Sequence, residues 1–108
     1  MQRREIKVIV DRKIGSHHLN YPDLIYEINY GYVPGVLSAD FEEQDAYIIG
    51  IDEPVEEFVG DLVAIIQRED DIETKWVVVP KGMDISIEEI KNKTNFVEKY
   101  FKISIIKL

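Results

Sequence analysis

Cysteine is absent from this sequence of 108 residues, which excludes a disulfide framework and thiolate chemistry and is compatible with a reducing compartment. Long hydrophobic runs are absent as well. The charged start Met1-Gln2-Arg3-Arg4-Glu5 is followed only by a short apolar run broken by Lys7, so neither a secretory leader nor a membrane span is expected. Positive charge is scarce: 13 Lys and Arg against 21 Asp and Glu leave a net charge of −8, which repels nucleic acid and anionic membranes alike. No internal repeat or low-complexity segment is found. These absences predict a soluble, cytoplasmic protein with no nucleic-acid or membrane partner. Such a chain needs cations as intermediaries if it handles an anionic substrate.

What is present fits an ordinary globular chain. A hydrophobic content of 45% and an aromatic content of 10% argue against disorder, and the length predicts one domain, residues 1–108. Apolar, β-branched runs at residues 6–10, 46–51, 62–67, 76–79 and 103–108 predict strands, and residues 24–28 resume an extended pattern. Residues 14–23 mix Gly, Ser, Asn and Pro and predict a long loop, with His17 and His18 as exposed imidazoles that carry no role. Gly31, Pro34 and Gly35 predict an aromatic run alternating between strand and turn, and Gly60 predicts another turn. Ser86 and Glu89 have the spacing of a capping box, which starts a short helix; residues 95–102 predict a second helical stretch. The sum is mainly β, a small barrel or an α+β domain with a minor helical tail.

The distinctive stretch runs from Tyr26 to Asp45: an aromatic, glycine-punctuated run leads into Asp40-Phe41-Glu42-Glu43-Gln44-Asp45, with four carboxylates in six positions. Two like charges about 4 Å apart repel by roughly 4 kcal/mol at an effective dielectric of about 20, so these acids converge only around a cation, a shared proton or open water. A hard cation such as magnesium takes oxygen ligands and suits carboxylates combined with phosphate oxygens. The plain alternative is a solvated acidic turn. An EF-hand calcium loop is a poor match, since its sixth position needs glycine and Asp45 stands there. A second acidic connection, Arg68-Glu69-Asp70-Asp71-Ile72-Glu73-Thr74-Lys75, reads by composition as a hydrophilic turn.

Val10-Asp11-Arg12, Asn29-Tyr30-Gly31-Tyr32-Val33-Pro34-Gly35, the acids from Asp40 to Asp45, and Glu73-Thr74-Lys75 ahead of Val77-Val78-Val79-Pro80 occur in one order. In this the chain resembles the soluble inorganic pyrophosphatases of family I, over about residues 8–102. The resemblance implies a small closed OB-like five-stranded barrel with a short C-terminal helical segment. It implies Mg2+, or Mn2+, as cofactor and metal-dependent hydrolysis of inorganic diphosphate, or of a small phosphoanhydride, by an activated water. It assigns Asp40, Glu42, Asp45, Asp70 and Glu73 to metal, with Glu69 the alternative to Asp70, and makes Glu42 and Asp45 catalytic. Arg12, Tyr30, Lys75 and Tyr100 match phosphate-contacting positions, and Tyr26 matches a pocket tyrosine. Self-association is also implied, with the last strand as the candidate edge.

The departures define a second reading. Where the family signature reads aspartate, glycine, aspartate, proline, this chain has Asp40, Phe41, Glu42 and Glu43. A displacement of roughly 1 Å at a water-activating group can cost about a hundredfold in rate. Glu73 replaces an aspartate, Phe101 replaces a phosphate-binding lysine with Lys102 one step late, and the family's upstream strand is expected to lack a counterpart. The alternative is therefore a weakened or inactive pyrophosphatase-like protein that binds metal, phosphate or a protein partner.

Overall fold

Period-two alternation gives the strands over residues 43–48, 57–68 and 74–79 two faces with different partners, and both are buried over much of their length. The structure is a computed structural model and describes residues 3–69 and 72–108. Its elements are β1 (Arg4–Arg12), β2 (Asn29–Leu37), β3 (Glu43–Ile48), β4 (Glu57–Arg68), β5 (Thr74–Val79), α1 (Ile87–Glu98) and β6 (Ile103–Lys107). Strand order is β1-β2-β3-β5-β4-β6, and a further pairing of β1 with β4 closes the first five strands into a barrel. The fold is thus mainly β, a closed five-stranded barrel with one short helix, as the sequence predicts. The 12-residue β4 pairs with β1 from Glu57 to Leu62 and with β6 from Ala64 to Arg68.

On β3, Ala46 and Ile48 point into the lumen with Val8, Leu62 and Val78, while Tyr47, and Ile49 just past the strand end, pack outside with Ile66, Val77 and Val79. Ile90 and Phe96 of α1, with Tyr26 and Ile28, cover that outer face. Burying one such side chain contributes about 1.5–3 kcal/mol, so the helix is held mainly by its apolar stripe. Its start is fixed by the Ser86 and Glu89 capping box, both halves of which are present. Among the described residues, no helix is long and apolar enough to cross a membrane.

Several local expectations are corrected. The two helical stretches are one helix, since nothing between Ile87 and Glu98 breaks it. Residues 24–28 are not a sheet strand. They fold back on the preceding loop through Tyr26 N–H to Ser16 O (2.9 Å), His18 N–H to Leu24 O (2.9 Å) and a bridge of His17 with Ile25. β3 begins at Glu43, ahead of its predicted start, so Glu43 and Asp45 belong to the strand. Gly31 and Gly60 are not turns: they sit inside β2 and β4, where the barrel wall crosses itself closely. A Cβ on Gly31 would lie 1.8 Å from Ile9 O, and one on Gly60 2.2 Å from Val79 O.

Gly31→Ala is expected to destabilise the barrel by about 3 kcal/mol or more, because its obstacle is backbone and cannot rotate away. Urea denaturation measures this, and a change below about 1 kcal/mol would show that the two strands are free to separate.

Candidate functional site

β3 and β5 are parallel neighbours, with Asp45 opposite Lys75, so both enter the sheet from the same end of the barrel. That arrangement brings their two acidic lead-in loops side by side. Gln44, buried beneath them, ties the strand starts together through its Nε2 donating to Thr74 O (2.8 Å) and its Oε1 accepting from Thr74 Oγ1 (3.2 Å). Asp11, Tyr32, Asp40, Glu42, Glu43, Asp45 and Glu73 line a cleft of about 430 Å³ there.

Asp11 and Arg12 arrive through a β-bulge. In β1 Val10 faces Gly31 and Arg12 faces Tyr30, which leaves Asp11 as the extra residue. A bulge re-aims the side chains around it. Here Arg12 leaves the lumen-facing series of Ile6, Val8 and Val10 and meets Tyr26 on the outer side, while Asp11 borders the cleft. Partial burial raises the Asp11 pKa more than the adjacent Arg12 lowers it, and Asp45 adds to the rise.

Lys75 is the centre of the arrangement. It is 4% exposed, and its Nζ donates to Asp45 Oδ2 (2.7 Å), to Tyr30 Oη (2.8 Å) and to Glu73 Oε1. An ammonium carries three donors, so all three are satisfied within the protein. Arg68 grips the other Glu73 oxygen, Nη1 to Oε2, at 3.0 Å. Asp45 and Glu73 therefore converge around two resident cations rather than open water. Tyr30 has its pKa raised by burial first and by Asp45 second, and so remains a neutral phenol.

The first acidic loop stays outside. Ser38 N–H donates to Glu42 O (2.8 Å) and Glu42 N–H to Asp40 Oδ1 (3.0 Å), while the Ser38 hydroxyl also donates to Asp40 Oδ1. Those two bonds, the hydroxyl first, hold the Asp40 carboxyl below its usual range. Phe41 at the tip has φ 66° and is 84% exposed, so a side chain with little packing occupies a left-handed backbone position. Glu43 Oε2 accepts from Gly35 N–H (3.2 Å) at an irregular stretch of the β2 and β3 pairing.

The structure thus gathers Asp40, Glu42, Asp45, Glu73, Lys75 and Tyr30, with Arg12 at the edge beside Tyr26. Asp70 lies outside the described residues, and Glu69 is exposed, its amide bonded to Lys102 O (2.9 Å). Tyr100 is not in this cleft. It is 68% exposed and lines a separate groove of about 1020 Å³ with Tyr21, Phe96 and Phe101. The all-oxygen donor set suits a hard cation in kind. Among the described residues, however, no three His, Asp or Glu side chains converge into a metal-holding group.

The reading from sequence missed Asp11, Arg68, Glu98 and Tyr47. Glu98, the last residue of α1, is 2% exposed and receives Arg68 Nε (3.1 Å), Arg68 Nη2 (2.9 Å) and Tyr47 Oη (2.7 Å). A signal existed: Ile90, Thr94 and Glu98 repeat every four residues on the buried stripe, and a carboxylate in that series needs a cation.

Two outcomes are expected. Phe41→Gly should raise stability by about 0.5–1 kcal/mol by relieving the left-handed strain, as read from the urea midpoint; a loss would mean that the Phe41 ring packs in solution. Because the raised Asp11 pKa means that ionisation opposes folding, its contribution is intact below the ordinary value of 3.8 and lost as pH rises through the folded value. Asp11→Asn should therefore raise the Tm at neutral pH in the absence of divalent ions, with the gain vanishing below that ordinary value, and a gain independent of pH would contradict this.

No protein-family model matches this chain, and no curated protein matches it in sequence. Solved structures do match. The inorganic pyrophosphatase of Ehrlichia chaffeensis is 15% identical with a TM-score of 0.73, over 96% of this chain and 86% of that one. That of Helicobacter pylori is 16% identical with a TM-score of 0.64, over 99% and 87%. That of Thermus thermophilus is 15% identical with a TM-score of 0.65, over 94% and 80%. At these identities the likeness is one of fold: the chain has the barrel found in inorganic pyrophosphatases.

Proposed function

We propose that the acidic cleft gathers divalent cations, Mg2+ or Mn2+, and hydrolyses inorganic diphosphate or a small phosphoanhydride bound through them. What supports the reading is one observation, the meeting at one barrel end of Asp40, Glu42, Asp45 and Glu73 with Lys75 and Tyr30. In this reading Asp40, Glu42, Asp45 and Glu73, with Asp70, hold the cations. A bound divalent ion supplies polarisation of phosphoryl oxygens and a water of lowered pKa.

The remaining roles belong to the chain itself. Glu42, exposed at the loop, accepts a proton from the attacking water, and Asp45 orients it. Lys75 releases one of its three oxygens to take a phosphate oxygen, so the charge of the substrate replaces that of a carboxylate. Tyr30, as a neutral phenol, donates to the substrate, and Arg12 neutralises charge from the other side. Tyr100, on the separate groove, takes part only for a substrate long enough to reach it.

Binding without turnover is the second reading. Two observations favour it: all three donors of Lys75 are already engaged, and Glu42 follows a Phe41 held in the left-handed region. Phosphate release with Mg2+ and diphosphate decides the matter. Release that falls about 100-fold or more in Asp45→Asn is expected. An inactive parent protein, or an undiminished variant, overturns the hydrolase; calorimetric binding of diphosphate with Mg2+ by an inactive parent establishes the second reading.

A further inference from the structure

A line of alternating charge runs from the end of α1 to the cleft: Glu98, Arg68, Glu73, Lys75, Asp45. Each cation is shared by two carboxylates. We infer that Arg68 is a positioning residue for the cleft: anchored by Glu98, it fixes the orientation of Glu73 and through it the three-oxygen setting of Lys75.

The guanidinium suits this task by geometry. Its Nε and Nη2 take both oxygens of Glu98, and its third edge, Nη1, reaches Glu73. A planar fork does this at fixed angles, and a lysine ammonium does not. Arg68 is 8% exposed, and its outer face is covered by the Phe101 ring, 3.7 Å from the guanidinium carbon. Burial alone would lower the Arg68 pKa, but the bonds and charge of Glu98 overturn this, so the group stays charged. Tyr47 Oη donates to Glu98 from the outer face of β3, so the anchor is bonded to the same strand that carries Asp45.

Stability gives no sufficient reason for the pair. Replacing a buried ion pair by apolar side chains of similar size is often neutral or stabilising, so Glu98 and Arg68 alone could be dispensed with. What apolar residues cannot supply is the third N–H, directed at a carboxylate of the cleft. The inference deepens the proposed function and rests on it only for its kinetic arm.

The test uses the full chain with Arg68→Met and Glu98→Met combined, which strands no buried charge. The Nζ–H signal of Lys75 in proton–nitrogen NMR is the first readout and needs neither metal nor turnover. Wild type should give a resolved, slowly exchanging ammonium; the folded double variant should lose it to exchange broadening. An unchanged signal in the folded variant overturns the inference. If the double variant does not fold, Arg68→Lys, which keeps the charge without the fork, should lose the signal, and retention overturns the inference equally.

Where the parent releases phosphate, the double variant and Glu73→Gln should each lower kcat by a similar factor, about 10- to 100-fold, with no further loss when combined. Multiplying losses would mean that Arg68 does not act through Glu73. A parent without turnover sinks the proposed hydrolase and leaves the NMR arm to decide the positioning role.

Discussion

The ammonium of Lys75 is where the acidic loops of this protein are reconciled. Asp45 comes from the start of β3 and Glu73 from the lead into β5, and both take a hydrogen bond from the same nitrogen. Without that charge, two carboxylates a few ångströms apart would repel by several kcal/mol at an effective dielectric of about 20. The cost of burying the ammonium is offset by three oxygens that match its three donors. The cleft is thus already neutralised on its inner wall, and its free negative charge lies at the rim, on Asp11, Asp40, Glu42 and Glu43.

The barrel produces this meeting through two features of its backbone. Parallel pairing of β3 with β5 aligns the beginnings of two strands that are 30 residues apart, something no antiparallel hairpin does. The bulge at Asp11 then turns the end of β1 toward the same place. Closure depends on Gly31 and Gly60, where backbones pass too closely for any side chain. The outer face of the sheet, covered by α1, continues directly into the cleft: Val77 follows Lys75 by one alternation, and Tyr47 stands in the same relation to Asp45.

Much of the architecture is legible in the sequence because it is local. Alternating apolar runs mark β1, β4, β5 and β6, and the Ser86 and Glu89 spacing marks the helix start. The grouping of Asp40, Glu42, Asp45 and Glu73 with Lys75 is reached through resemblance to a family, since composition alone reads each loop as a solvated turn. What stays hidden depends on long-range register. Glycine in a strand and glycine in a turn look alike in sequence, and a bulge leaves no mark in the residues around Asp11. The Arg68 and Glu98 pair spans 30 residues and is decided by how the end of α1 meets β4. Phe101, expected as a departure from a phosphate-binding lysine, stacks on Arg68. Tyr100 projects into the neighbouring groove.

Likeness in fold to pyrophosphatases at 15–19% identity leaves the chemistry to be carried by these few side chains. The central claim is that two acidic loops act as one cation-gathering centre. Paramagnetic broadening by Mn2+ in nitrogen-15-labelled protein tests it most directly. The amide signals of Asp40, Glu42 and Asp45 should fade together with that of Glu73 at the same low Mn2+ concentration. Fading of one loop alone, or equal fading at solvated acids elsewhere such as Asp52 and Glu88, would contradict it.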